Sequence, residues 1–236
     1  MERLLSQLVD RLQKTYQDRL VSVVLYGSAA VGDHHGSFSD INILCVLTQV
    51  TPRELADSPA IFHWWRGKGN PAPLLLSADE VRTSTDCFPI EFHDIRERHR
   101  VLYGENVVAD MEVDKRYYRV QVEHDLRAKV LRLRQKAAGV LDKNDLLLQL
   151  LADSVSTFCV LFRHALLLHG EDASSEKRVI VDQAAAKFGI EPSPFRTLLD
   201  LRERKIKARE VKPGLLLGSY LKEIQVVVDA VDRLEK

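Results

Sequence analysis

The sequence predicts an α+β fold, with a mixed sheet flanked by helices at the N-terminus and an all-α helical bundle after it. Apolar, β-branched runs over 21–26 and 41–47 are typical of buried strands. From about residue 113 the strand signals cease, and apolar residues at helical spacing continue with few glycines or prolines. We therefore predict two domains, residues 1–110 and residues 111–236.

The first domain is predicted to alternate helices and strands. Leucines at helical spacing predict an amphipathic helix over 2–19. Thr51 as N-cap, Pro52 at the first helical position and Glu54 three residues on predict a helix that runs to about Arg66. The remaining predicted elements are strands over 21–26, 41–47, 73–77 and 88–95, a helix that starts at Ser77, and a basic helical turn over 96–106.

The second domain is predicted to contain five helices, separated by glycines and prolines. Short connections between helices favour antiparallel neighbours, so we expect a bundle. The predicted ranges are 115–139, 143–169, 175–188, 193–208 and 215–235.

Composition excludes several classes of protein. Lys plus Arg and Asp plus Glu both number 34, so the net charge gives no indication of a nucleic-acid partner. The N-terminus lacks the apolar core of a signal peptide, and we found no apolar run near the length of a bilayer span. The three scattered cysteines are typical of reduced core residues. We expect a cytoplasmic protein without a membrane partner, and a homodimer is compatible with the sequence.

The chemistry is predicted to lie between Val21 and Leu47. Gly27 ends the first strand, and glycine permits a positive φ and a close approach of a ligand to the backbone. Ser28 adds a hydroxyl and, if a helix starts there, N–H groups suited to a phosphate. Asp40 and Asn42 are two residues apart and therefore share one face of the second strand. Because Mg²⁺ prefers oxygen ligands, this stretch predicts a site for a magnesium-bound nucleotide.

Gly27-Ser28, eleven intervening residues and Asp40-Ile41-Asn42-Ile43 resemble the nucleotidyltransferase motif of the DNA polymerase beta superfamily. That motif is a Gly-Ser turn followed by Asp-hydrophobic-Asp/Glu-hydrophobic on the next strand. The most similar members are kanamycin-type and minimal nucleotidyltransferases, and the helical half resembles the kanamycin-type C-terminal domain or a HEPN-like bundle. This chain departs from the motif at Asn42, where the family has a second carboxylate.

The resemblance also implies a third carboxylate on a later strand next to the motif strand. Glu91 fits that place on the strand predicted over 88–95, with His93 on the same face. Asp94, on the opposite face, is the alternative carboxylate. An ordinary solvated strand face is an equally open interpretation of Glu91 and His93.

The resemblance implies a transfer of a nucleoside monophosphate from a nucleoside triphosphate (NTP) to a hydroxyl acceptor, with release of pyrophosphate. Gly27 and Ser28 would bind the β and γ phosphates, and Asp40, Asn42 and Glu91 would ligate Mg²⁺. Glu91 could instead be the general base. Asn42 keeps a ligand oxygen but loses a charge, so we expect one Mg²⁺ rather than two.

Two hypotheses follow from this substitution. The first is a Mg²⁺-dependent nucleotidyltransferase in which Asp40 and Glu91 are catalytic. The second is a catalytically degenerate nucleotide-binding or regulatory module that acts through its helical domain. The sequence identifies neither the acceptor nor the preferred base.

Overall fold

A computed structural model describes residues 1–31, 41–109, 111–113 and 117–234, without the side chains of residues 28 and 31. The chain divides into two units, Met1–Tyr117 and Tyr118–Lys236. The first contains a sheet with helices and the second is helical, so the predicted α+β fold class is confirmed.

Four strands form one mixed sheet in the first unit, in the order β3-β2-β1-β4. Strand β1 pairs antiparallel with both β2 and β4, whereas β3 pairs parallel with β2. Because β1 is central and covered on both faces, its apolar run is continuous rather than alternating. The strands are β1 Leu20–Tyr26, β2 Asn42–Leu47, β3 Leu74–Ser77 and β4 His99–Gly104.

Helices cover both faces of this sheet. On one face, α1 (Glu2–Tyr16) and α3 (Pro59–Arg66) bury leucines and Trp65 against β1 and β2. On the other face, α4 (Ala78–Thr83) and α5 (Pro89–Glu97) pack against the remaining side chains of the same strands. Tyr26 belongs to this second face.

Two predicted helix starts are confirmed by capping boxes. Thr51 caps α2 (Pro52–Asp57) together with Glu54, and Ser77 caps α4 in the same way. The predicted single helix from Thr51 to Arg66 is wrong. It ends at Ser58, because Pro59 has no N–H to continue the hydrogen-bond ladder and instead starts α3.

The strand predicted over 88–95 is also wrong, because these residues form α5. Pro89 occupies the first helical turn, where proline is favoured. Ile90 and Phe92 alternate as in a strand, but Phe92 and Ile95 lie three apart on one buried helix face. The helical turn predicted over 96–106 is instead the strand β4.

All five predicted helices occur in the second unit, over residues 118–232. The fourth ends at Arg202 rather than near residue 208, since Arg204 adopts the left-handed conformation (φ 58°) that terminates helices. The helices are α6 Tyr118–Ala138, α7 Asn144–Leu168, α8 Lys177–Phe188, α9 Ser193–Arg202 and α10 Pro213–Asp232.

Helix α7 is the central element of the second unit and contacts α6, α8, α9 and α10. By length and composition alone, α7 is long and apolar enough to cross a membrane. This property was not predicted from the sequence. The apolar residues of α7 include Leu151, Val155 and Phe162, which are fully buried within the protein. A helix that packs against several neighbours in this way has the apolar content of a core helix.

Candidate nucleotide site

The candidate site lies at one end of the sheet, where β1 ends and where β2 and β4 begin. Tyr26, the last residue of β1, pairs with Asn42 on one side and with His99 on the other. Paired residues of antiparallel strands direct their side chains to the same face. An amide, a phenol and an imidazole therefore form a row, named here the Asn42–Tyr26–His99 row, on the face covered by α4 and α5.

Gly27 makes the turn directly after this row. Its φ is +79°, in the region that glycine adopts without strain. Its N–H donates to the carbonyl of Arg98 at 2.9 Å, and its carbonyl accepts from the N–H of Ala30 at 3.0 Å. A Cβ at Gly27 would lie 3.4 Å from Nδ2 of Asn42. The turn is thus tight and packs closely against the Asn42 side chain.

A short 3-10 turn, Ser28–Val31, follows Gly27 where the sequence analysis allowed for a helix. One turn of this length carries little dipole, so phosphate binding here would depend on individual N–H groups. Asp40 lies outside the described residues. Its predicted roles as catalytic residue and metal ligand therefore stay predictions, as do the phosphate-binding roles of Gly27 and Ser28.

The strands that flank β2 carry no carboxylate. β1 has the sequence LVSVVLY and β3 has the sequence LLLS. A third carboxylate on a strand next to the motif strand, as the resemblance implied, is therefore not present on either neighbour. Asn42 itself begins β2 and is half-buried.

Glu91 approaches this end of the sheet from α5 instead. Its charge raises the pKa of the Tyr26 phenol, although burial of the phenol is the larger cause. The Glu91 side chain is itself exposed. The strand placement of Glu91 is thus wrong, but its carboxylate lies within electrostatic reach of the row.

The predicted shared face of Glu91 and His93 is wrong as well. Successive residues of an α-helix are about 100° apart, so residues separated by two project in nearly opposite directions. Asp94, three residues after Glu91, is its neighbour on the helix surface. The choice between Glu91 and Asp94 as a functional carboxylate stays open, with both now on one side of α5.

Two residues of the Asn42–Tyr26–His99 row, Tyr26 and His99, were not predicted from the sequence. His99 Nδ1 donates to the carbonyl oxygen of Arg96 at 2.9 Å, which orients the imidazole. The signal for β4 was present in the apolar run Val101-Leu102-Tyr103, which Gly104 ends. A Cβ at Gly104 (φ +75°) would lie 2.0 Å from the carbonyl oxygen of Val21, so only glycine fits the end of this strand.

The donors near the turn suit one hard cation at most. Among the described residues these donors are the Asn42 amide oxygen, the Glu91 carboxylate and the His99 imidazole. Mg²⁺ is usually held by one or two carboxylates together with substrate phosphates. The predicted roles of Glu91 and Asn42 as metal ligands therefore stay predictions, and Asp40 would be needed as a second carboxylate.

This arrangement of β1, its glycine turn, antiparallel β2 and parallel β3, with helices on both faces, defines a nucleotidyltransferase fold. The structure is similar to that of the spectinomycin adenyltransferase AAD(9) from Enterococcus faecialis, solved with ATP and spectinomycin. The TM-score is 0.62 at 12% identity, and the match covers 98% of this chain and 99% of that chain. At this identity the likeness establishes the fold and not the activity.

Two toxin–antitoxin structures are also similar in part. One contains AMP-PNP and is 16% identical, and the other is a mutant of MntA-HpeT and is 14% identical. Each match covers 43% of this chain and 74% of the other, with a TM-score of 0.32, which is too low to support an argument. No protein-family model and no curated protein sequence matches the chain.

Proposed function

We propose that the protein transfers a nucleoside monophosphate from an NTP to a hydroxyl acceptor, with pyrophosphate as the second product. The observation that carries this proposal is the convergence of the Gly27 turn, Asn42 and the charge of Glu91 at one end of the sheet. The likeness to an adenyltransferase whose structure contains ATP supports nucleotide as the substrate.

In the proposed reaction, backbone N–H groups of the turn after Gly27 bind the β and γ phosphates. The acceptor oxygen forms a bond to the α-phosphorus while the bond from that phosphorus to the bridging oxygen breaks, and pyrophosphate leaves. Glu91 accepts the hydroxyl proton. Alternatively, Glu91 would hold a single Mg²⁺ together with Asp40 and Asn42, and the hydroxyl proton would pass to water. A bound Mg²⁺ would neutralise phosphate charge as it develops.

A second candidate function is nucleotide binding without transfer. It is favoured by Asn42 and by the absence of a carboxylate from β1 and β3. At an effective dielectric constant near 20, a unit charge pair about 4 Å apart contributes roughly 4 kcal/mol. Even after solvation offsets most of this, replacing a carboxylate by an amide weakens cation binding. Such a module would regulate a partner through its helical unit.

A transfer assay distinguishes the two functions. The protein is incubated with Mg²⁺ or Mn²⁺, α-labelled NTPs and a desalted bacterial lysate that supplies acceptors. We expect label in a product, and we expect Glu91→Gln and Asp40→Ala to abolish it. Glu105→Gln, which alters an exposed carboxylate at the opposite end of the sheet, where the Glu105 N–H donates to the carbonyl of Val21, is the matched control.

Two outcomes would contradict the transferase. If the wild-type protein binds NTP in a parallel filter assay but moves no label, it is a binding module. If both Glu91→Gln and Asp40→Ala leave transfer unchanged, the chemistry occurs elsewhere and the site assignment is wrong.

A further inference from the structure

A groove between α6 and α7 lies entirely within the second unit and has a volume of about 200 Å³. One wall, formed by α6, carries Lys129, Arg132 and Lys136. These residues are separated by three and four positions, so they lie on a single face of the helix. Three exposed cations therefore border one small groove, named here the α6–α7 groove.

These three cations differ from Arg119 and Arg127 of the same helix. Arg119 and Arg127 both pair with Glu123 at 2.8 Å. Within residues 117–234, which the structure describes, none of the three groove cations forms an ion pair with a carboxylate. Like charges at this spacing on a helix repel each other, so without carboxylate partners they lower the stability of the ligand-free protein.

The opposite wall, formed by α7, carries Asp153, Ser154 and Thr157. The Ser154 hydroxyl donates to the carbonyl of Leu151 and lies 3.1 Å from the Tyr220 hydroxyl, so it is already engaged. Thr157 is exposed and offers a further hydroxyl donor. With one carboxylate against three cations, the groove has an excess of positive charge that is suited to an anion.

We propose that the α6–α7 groove binds a ligand with two or more linked phosphoryl groups. At a rise of 1.5 Å per residue, Lys129 and Lys136 are about 10 Å apart along the helix, which is longer than a single phosphate. Pockets that enclose a whole drug-sized ligand measure roughly 300–1,000 Å³, so this smaller groove suits a di- or triphosphate chain rather than an entire nucleotide. The inference does not depend on the proposed transferase activity.

The experiment is calorimetric titration of the full-length protein with inorganic tripolyphosphate at low ionic strength. The variant Lys129→Gln/Arg132→Gln/Lys136→Gln removes the groove cations, and Arg134→Gln removes an exposed cation of the same helix that does not line the groove. We expect the triple variant to bind at least about tenfold more weakly, because each charge-assisted contact to phosphate contributes roughly that factor. Arg134→Gln should bind like the wild type.

Two further arms identify the source of the phosphates and exclude the other site. ATP is titrated in parallel. If the groove binds the phosphate chain of a nucleotide, the triple variant should lose affinity for ATP as well as for tripolyphosphate. If it binds free polyphosphate, only the affinity for tripolyphosphate should fall. Repeating the tripolyphosphate titration in a Gly27→Val background removes the candidate nucleotide site and should leave groove binding intact.

The proposal is overturned if the wild type does not bind tripolyphosphate, or if the triple variant binds it equally well while circular dichroism shows both to be folded. Groove-dependent binding of single-stranded RNA without tripolyphosphate binding would also overturn it, in favour of a nucleic-acid surface.

Discussion

Tyr26 is the residue whose titration reports most directly on the candidate site. It ends β1, pairs with Asn42 and His99, and precedes Gly27. Burial raises its pKa, and the charge of Glu91 raises it further. A phenolate beside a carboxylate is disfavoured, so removing the carboxylate charge lowers the pKa of the phenol. This sign does not depend on any assumed function.

Glu91→Gln should therefore lower the pKa of Tyr26. The measurement is an ultraviolet titration of tyrosine ionisation, with Tyr26→Phe used to subtract the other tyrosines. Glu105→Gln, which follows the end of β4 farthest from Tyr26, should leave the Tyr26 titration unchanged. An identical titration in wild type and Glu91→Gln would mean that α5 does not bring Glu91 to this end of the sheet.

At the scale of elements, Glu54 links α2 to the start of β1. Its carboxylate accepts from Arg19 at 2.6 Å, and it also caps α2 through Thr51. Arg19 extends the link to Asp57 at 2.9 Å. The Thr51 hydroxyl and then the Arg19 guanidinium lower the pKa of Glu54 from 4.5 to about 2. The Glu54 side chain is fully buried, so its charge is satisfied only by these partners.

The lowered pKa predicts the direction of the pH dependence. The folded state holds Glu54 ionised more strongly than the unfolded state, so its stabilisation is complete above pH 4.5 and is lost as the pH falls towards 2. The difference in the free energy of unfolding between wild type and Glu54→Gln should be constant near neutral pH. It should decrease as the pH falls from 4.5 towards 2. Denaturant unfolding at several pH values measures it.

A matched control is Asp79→Asn, which removes an exposed pair with Arg82 that contributes little. Its effect should be small at every pH. A difference between wild type and Glu54→Gln that is the same at pH 3 as at neutral pH would contradict the assigned role of Glu54.

The elements that the sequence predicted well are those with strong local signals. The strands over 21–26 and 41–47 have apolar β-branched runs, and the capping boxes at Thr51 and Ser77 specify helix starts. Residues 88–104 were assigned in the wrong order, strand then helix. Ile90 and Phe92 alternate by coincidence in a helix, whereas the charge of Arg100 obscures the strand pattern of β4.

The wrong assignment of residues 88–104 affects two residues near the candidate site, Glu91 and His99. The strand placement of Glu91 is wrong, and helix α5 instead carries its charge to within electrostatic reach of Tyr26. His99 was missed, because its place beside Tyr26 exists only once β4 pairs with β1. Strand pairing is a non-local property, and no local pattern in the sequence specifies it.

At the scale of the whole molecule, the chain combines a sheet unit of nucleotidyltransferase fold with a helical unit. The sequence predicted five helices after residue 113 because helical periodicity is continuous there. The motif around Gly27 predicted the fold from about a tenth of the chain. A HEPN-like character of the helical unit stays a prediction.

The proposed binding of nucleotide at the Gly27 turn can be measured without any knowledge of the acceptor. Calorimetric titration with a non-hydrolysable ATP analogue would compare wild type, Gly27→Val and Gly170→Val. Both glycines have φ near +75°, so both substitutions introduce a similar backbone strain, but a Cβ at Gly170 has no atom within 4 Å.

We predict that wild type and Gly170→Val bind the analogue. Gly27→Val should remain folded by circular dichroism but bind at least about tenfold more weakly, because its side chain displaces the turn from Asn42. If Gly27→Val and Gly170→Val bind the analogue equally well, or if the wild type does not bind it, nucleotide does not bind at the Gly27 turn.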